Sequence, residues 1–230
     1  MKTPSPRVPR RLRRISVPLL GLLLTLATLP GCNQFVLLSY VLGGPPSIEP
    51  DFDAKTGKSL DRPDVTVAVI GYASTKLKVD NPKIDVDLAK MVALRLASSQ
   101  RINIVHPDTV HAWLDEHPDW EKAEEVGRGL KANYVIEIEL ESCSLYELHS
   151  ASLLRGRTEG YVNVYEISAD GFGERIYSKD LSLIFPTEAP RSTYDQTLTS
   201  FKREYLTRLS ELIGWMFLER YSGDKMHWAT

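Results

Sequence analysis

Between Val65 and Tyr72 apolar side chains fill both faces of an extended stretch, with Val65, Val67 and Val69 on one face and Ala68 and Ile70 on the other. A strand without a polar face is covered on two sides, so this one is predicted to run through the middle of a sheet. The period then changes from two to 3.6. Val86, Ala89, Val92, Ala93 and Leu96 form one stripe over 85–98, with Asp85 and Asp87 at the positive end of that helix. A short strand over Ile102 to Val105 follows. Next comes a helix with Asp108 as its expected N-cap and Val110, Trp113 and Leu114 facing inward. A helical stretch over 121–130 leads into the strand 134–141, which alternates: Tyr134, Ile136, Ile138 and Leu140 against Glu137, Glu139 and Glu141. Strands over 156–167 and 175–185 flank Asp170-Gly171-Phe172-Gly173 and form a hairpin. Leu198, Phe201, Tyr205, Leu209, Leu212, Ile213, Met216 and Phe217 line a long final helix over 193–220.

The order βαβαβ, β-hairpin, α gives an α/β fold: a mixed sheet with helices packed on it and a long C-terminal helix. This single domain is expected over 64–230. Before it, 43–63 is rich in Gly, Pro, Ser, Asp and Lys without a hydrophobic period, so 32–63 is expected to be a tether. Thr56-Gly57-Lys58-Ser59 imitates the end of a phosphate-binding loop. The second glycine position is held by Phe52, however, and neither the strand before nor the helix after is predicted.

The first 31 residues form a segment of another kind. Lys2, Arg7, Arg10, Arg11, Arg13 and Arg14 precede the apolar run Ile15 to Leu29, which is shorter than the ~20 residues of a membrane span. This is the pattern of an export signal. Its end, Leu29-Pro30-Gly31-Cys32, resembles the recognition sequence of lipoprotein signal peptidase, in which the cysteine is acylated. The resemblance implies cleavage before Cys32, a fatty acyl chain such as palmitate on that residue, and a place on the periplasmic face of a bacterial membrane. Asn33 lacks the aspartate of inner-membrane retention, which favours the outer membrane. With Cys32 lipidated, Cys143 has no partner for a disulfide.

Six of the 28 basic residues lie in this leader and all 30 acidic ones follow it, so the mature chain carries a net charge of −8. Bulk electrostatics therefore excludes nucleic acid and anionic headgroups as partners. The membrane link has to come from lipid.

Three phrases in sequence order carry a second resemblance: Val67-Ala68-Val69-Ile70, then Arg101-Ile102-Asn103-Ile104-Val105, then Val126-Gly127-Arg128-Gly129-Leu130-Lys131-Ala132-Asn133-Tyr134-Val135-Ile136. With the hairpin from Val162 to Tyr177 they resemble the domain of CsgG, the curli-secretion lipoprotein, and of the lipoprotein activators of penicillin-binding proteins. That resemblance implies a non-catalytic module that binds another envelope protein or its own copies. It implies no pore, because Ser142 to Arg155 is too short for membrane-spanning arms of ~9–11 residues each.

Tyr161, Asn163 and Tyr165 project from one face of a strand, with Tyr177 expected across the hairpin and Glu137 and Glu139 on the neighbouring strand. Tyrosines carry contact area with a polar tip, so these six residues are the candidate partner surface. The alternative leaves them under the last helix as core. The enzymatic alternative is a lipid-tethered hydrolase or metal-dependent enzyme built around His106, His111 and His117. Yet His111 and His117 lack the i, i+3 or i, i+4 spacing of a shared metal, and no serine sits in a nucleophile elbow. No catalytic residue, metal or cofactor is expected. A cleft holding His111 beside Asp115 or Glu116 would favour the hydrolase.

Overall fold

The computed structural model describes residues 47–221; Leu29, Pro30, Gly31 and Cys32 lie outside them. Within this range the fold is the mixed α/β arrangement that the periodicities predict. Its elements are β1 (Ser47–Ile48), α1 (Asp51–Thr56), β2 (Thr66–Ala73), α2 (Thr75–Asp80), α3 (Ile84–Ser98), β3 (Asn103–Ile104), α4 (Pro107–Glu116), α5 (Ala123–Leu130), β4 (Tyr134–Tyr146), β5 (Leu153–Ile167), β6 (Gly173–Phe185), β7 (Arg191–Ser192), α6 (Leu198–Gly214) and β8 (Arg220–Tyr221). The main sheet has the order β3-β2-β4-β5-β6, with β7 beside β5, and β1 and β8 form a separate two-stranded ribbon. Pairing is parallel from β3 through β2 to β4 and antiparallel from β4 to β6.

The two-sided apolar pattern of β2 becomes two cores. Val65, Val67 and Val69 join Tyr134, Ile136, Ile138 and Leu140 of β4 under α3, α6 and α1. Ala68 and Ile70 join Val135 on the other side, under Val110 of α4 and Ala123 and Val126 of α5. The final helix thus packs on the larger core only, through Phe201, Tyr205, Leu209 and Ile213. Gly71 permits α3 to cross β2 closely, since a Cβ there would meet the Asp85 carbonyl oxygen.

Several boundaries differ from the expected ones for local reasons. Helix α4 starts at Pro107, whose missing N–H costs nothing at a helix N-terminus, and the cap is His106 rather than Asp108: Asp108 N donates to His106 Nδ1 at 3.3 Å. The last helix is shorter than 193–220. Ser192 is engaged with β5, and Thr197 caps the first turn by accepting from Ser200 N at 3.2 Å.

The larger correction concerns the tether. Its second half is part of the folded unit, because α1 places Phe52 against Tyr134, Tyr177 and Phe217, and Leu60 is buried as well. Two apolar anchors in a polar stretch set no period, which is why the pattern reads as a linker. The phosphate-loop imitation also finds its place here. Gly57, at φ 66°, closes the C-terminal end of α1, where a helix ends rather than begins.

Candidate functional site

Helices α4 and α5 cover only one end of their side of the sheet. Three cross-strand rows lie on this side, fixed by the register of β2, β4, β5 and β6. The row Ala68, Val135, Tyr165, Arg175 sits at the helices, and Tyr165 packs against their core. The next row is Ile70, Glu137, Asn163, Ser178. The third, Tyr72, Glu139, Tyr161, Asp180, lies clear of both helices, and its tyrosines are 48% and 37% exposed. Two strand spacings separate these tyrosines, about 10 Å, with Glu139 between them.

The middle row is a hydrogen-bonded base for the outer one. Asn163 is buried; its Nδ2 lies 3.4 Å from Glu137 Oε2 and its Oδ1 accepts from Ser178 Oγ at 2.8 Å. Tyr165 Oη donates to Glu137 Oε2 at 3.2 Å. Burial pushes the Glu137 carboxyl above the usual range, against the opposing pull of Asn163 and Tyr165. The Tyr165 hydroxyl rises to about 12, through burial and the adjacent Glu137 carboxylate. Beyond Tyr161, Glu159 pairs with Ser142 and Ser182 and adds another carboxylate to the same face.

Of the six candidates from sequence, five share this face: Glu137, Glu139, Tyr161, Asn163 and Tyr165. Helix α6 packs on the opposite side and leaves it open. Tyr177 does not belong. It pairs with Val164, faces the larger core, and stacks edge-on against Phe52 at 5.5 Å. The register shift between Val164 and Tyr165 places Arg175, not Tyr177, beside Tyr165. Sequence reasoning missed Tyr72 and Asp180. Tyr72 follows Ile70 by two positions, and its relation to Tyr161 depends on a β2–β4 register that no single strand encodes.

No family model matches the chain, and no curated protein does. Among solved structures it is similar to a PelC dodecamer from Paraburkholderia phytofirmans, at 13% identity and TM-score 0.39, covering 75% of this chain and 95% of that one. It is also similar to the hypothetical protein CT253 from Chlamydia trachomatis, at 15% identity and TM-score 0.37, covering 66% and 96%. A third similarity is to Lipoprotein GNA1162 from Neisseria meningitidis, at 8% identity and TM-score 0.29, covering 65% and 98%. At these distances they assign neither a family nor an activity.

The histidines take separate places. His106 caps α4, His117 stacks on Trp113 at 4.2 Å between ring centroids, and His111 Nδ1 lies 2.8 Å from Asp115 Oδ2, with both side chains open to solvent. Among the described residues no three His, Cys, Asp or Glu side chains gather as metal ligands. No described helix is long and apolar enough to cross a membrane. Cys143 is half-buried, its thiol pushed up by burial, with Thr158 Oγ1 at 3.6 Å.

Proposed function

We propose that this chain is a lipid-anchored lipoprotein of the bacterial envelope whose α/β domain is a non-catalytic docking module, contacting another envelope protein or a second copy through the row Tyr72, Glu139, Tyr161 and Asp180. The observation that carries this reading is the exposure of both tyrosines on the end of the sheet face that α4 and α5 leave uncovered. Aromatic side chains with polar tips over a fixed hydrogen-bonded base supply contact area at low entropic cost. Acylation at Cys32 would hold that face at a membrane surface. The likeness of the sequence phrases to CsgG and to the activators of penicillin-binding proteins supports the same class of role.

The test is photocrosslinking in intact cells from positions 72 and 161 of the full chain, with the adducts identified by mass spectrometry. A discrete partner, lost in the Tyr72→Ala, Tyr161→Ala double variant with unchanged melting, supports the face. Adducts that are unspecific or unaltered by the double variant reject it.

The pairing of His111 with Asp115 favours a second reading, a tethered hydrolase. The slot bordered by His111 contains no Ser, Thr or Cys among its lining residues, so a hydrolase there would have to activate water. Hydrolysis of ester or amide substrates that disappears in His111→Ala would establish this reading in place of the first.

A further inference from the structure

Strand β3 accompanies β2 for only two residues, pairing Asn103 with Thr66 and Ile104 with Val67. The last rung is Val105 N donating to Val67 O at 2.9 Å. In a parallel ladder a residue turns both main-chain groups to the same neighbour, and the neighbour alternates along the strand. With Val67 turned to β3, Val69 and Gly71 turn outward too, while Ala68, Ile70 and Tyr72 serve β4. The bond after it, from Val69 N to Val105 O, is not made among the described residues, and the one beyond that, to Val69 O, would need an N–H from Pro107, which has none. Pro107 opens α4 instead, and the ladder stops.

The edge beyond it is not bare to solvent. A slot of about 210 Å³ runs along Val69 to Gly71, between Val86 and Ala89 of α3 on one side and Val110 and Leu114 of α4 on the other. Val69 is only 3% exposed, and its outward main-chain groups have no hydrogen-bond partner among the described residues. Buried main-chain groups are nearly always paired. Here the fold leaves a row of them facing a walled space.

We propose that this slot takes an extended peptide of a partner protein, added to β2 as a strand. The outward groups recur every second residue, about 6.6 Å apart, the repeat of an extended main chain. Apolar walls on both sides suit alternating aliphatic side chains. At the mouth Lys90 is held by Asp108 and His111 by Asp115, whereas Lys83 has no ion pair among the described residues, so the peptide carries a carboxylate at the Lys83 end. The site is separate from the tyrosine row and stands or falls independently of it.

The experiment selects linear peptides from a displayed random library on the full chain and sequences them. Expected are alternating aliphatic residues with one Asp or Glu. A synthetic copy of the selected peptide should slow hydrogen exchange at the Val69 and Gly71 amides at least tenfold. Val86→Trp, which fills the slot, should weaken binding at least tenfold and Lys83→Glu at least threefold, while Tyr161→Ala leaves it unchanged. Lys83 is on the surface, so its variant keeps the test decisive if Val86→Trp fails to fold. The proposal is overturned if no peptide is selected, if peptides bind without regard to Lys83 and Val86, or if the two amides are already protected in the free chain. Protection that rises with protein concentration alone would make the occupant a second copy and would equally overturn it.

Discussion

Tyr177 Oη donates to Asp51 Oδ2 at 2.6 Å and so joins the middle of β6 to the first residue of α1. Burial pushes the Asp51 carboxyl up, but hydrogen bonds from Tyr177, Lys179 and Lys55 outweigh it and hold the group at about 2, against an ordinary 3.8. A depressed carboxylate stabilises the fold fully above its unfolded value, and that contribution disappears as pH falls through the folded one. Asp51→Asn should therefore lose on the order of 1 kcal/mol at pH 7 after allowance for solvent screening. The gap to the unmodified chain should close by about pH 2. Urea unfolding of both proteins at pH 7, 4 and 2 checks it.

Phe52 is fully buried, with rings from β4, β6 and the segment after α6 around it. Phe52→Ala should cost about 3–5 kcal/mol, as for other buried phenylalanines. A chain starting at residue 47 should melt cooperatively, and one starting at 64 should not. Circular dichroism during heating separates these outcomes.

The Tyr205 hydroxyl lies 2.7 Å from Thr158 Oγ1 and 3.1 Å from the Leu183 carbonyl, inside the larger core. Tyr205→Phe should cost about 1–2 kcal/mol by stranding these groups. Gly156→Ala should cost a comparable 1–3 kcal/mol or so, because the added methyl meets the Tyr205 ring. Chemical denaturation of the two single variants measures both.

Cys32→Ser should abolish incorporation of radiolabelled palmitate and leave a precursor heavier than the mature protein. Persistent labelling in this variant would move the lipid to another residue and remove the basis of the anchoring.

The sheet was legible because its strands carry their environment in their pattern. β2 is apolar on both sides and lies between two cores; β4 alternates and has one open side toward its C-terminal end. The hairpin declared itself through Gly171, whose φ of 84° suits glycine in the turn. What stayed hidden depends on relations between segments. Tyr177 was misplaced because an irregularity opposite Val164 resets the faces of β6, and α1 because Phe52 and Leu60 are too few to make a period. Tyr72 and Tyr161 become neighbours across Glu139 only once three strands are in register. The edge slot is likewise legible only afterwards, although Pro107, the residue that creates it, stands plainly in the chain.

The two cores are far from equal. On the side of α4 and α5 the buried side chains of the two helices are Val110, Ala123 and Val126, with Trp113, Leu114 and Leu130 partly buried beside them, while the other side carries most of the apolar interior. Opening the smaller core should cost less than global unfolding, so the amides of α4 and α5 are expected to exchange ahead of those of β4 and β5, which native-state hydrogen exchange measures. Since α4 is also one wall of the slot beside β2, a chain entering there as proposed would meet the weaker layer of the molecule first, and its association rate would follow how readily that layer opens.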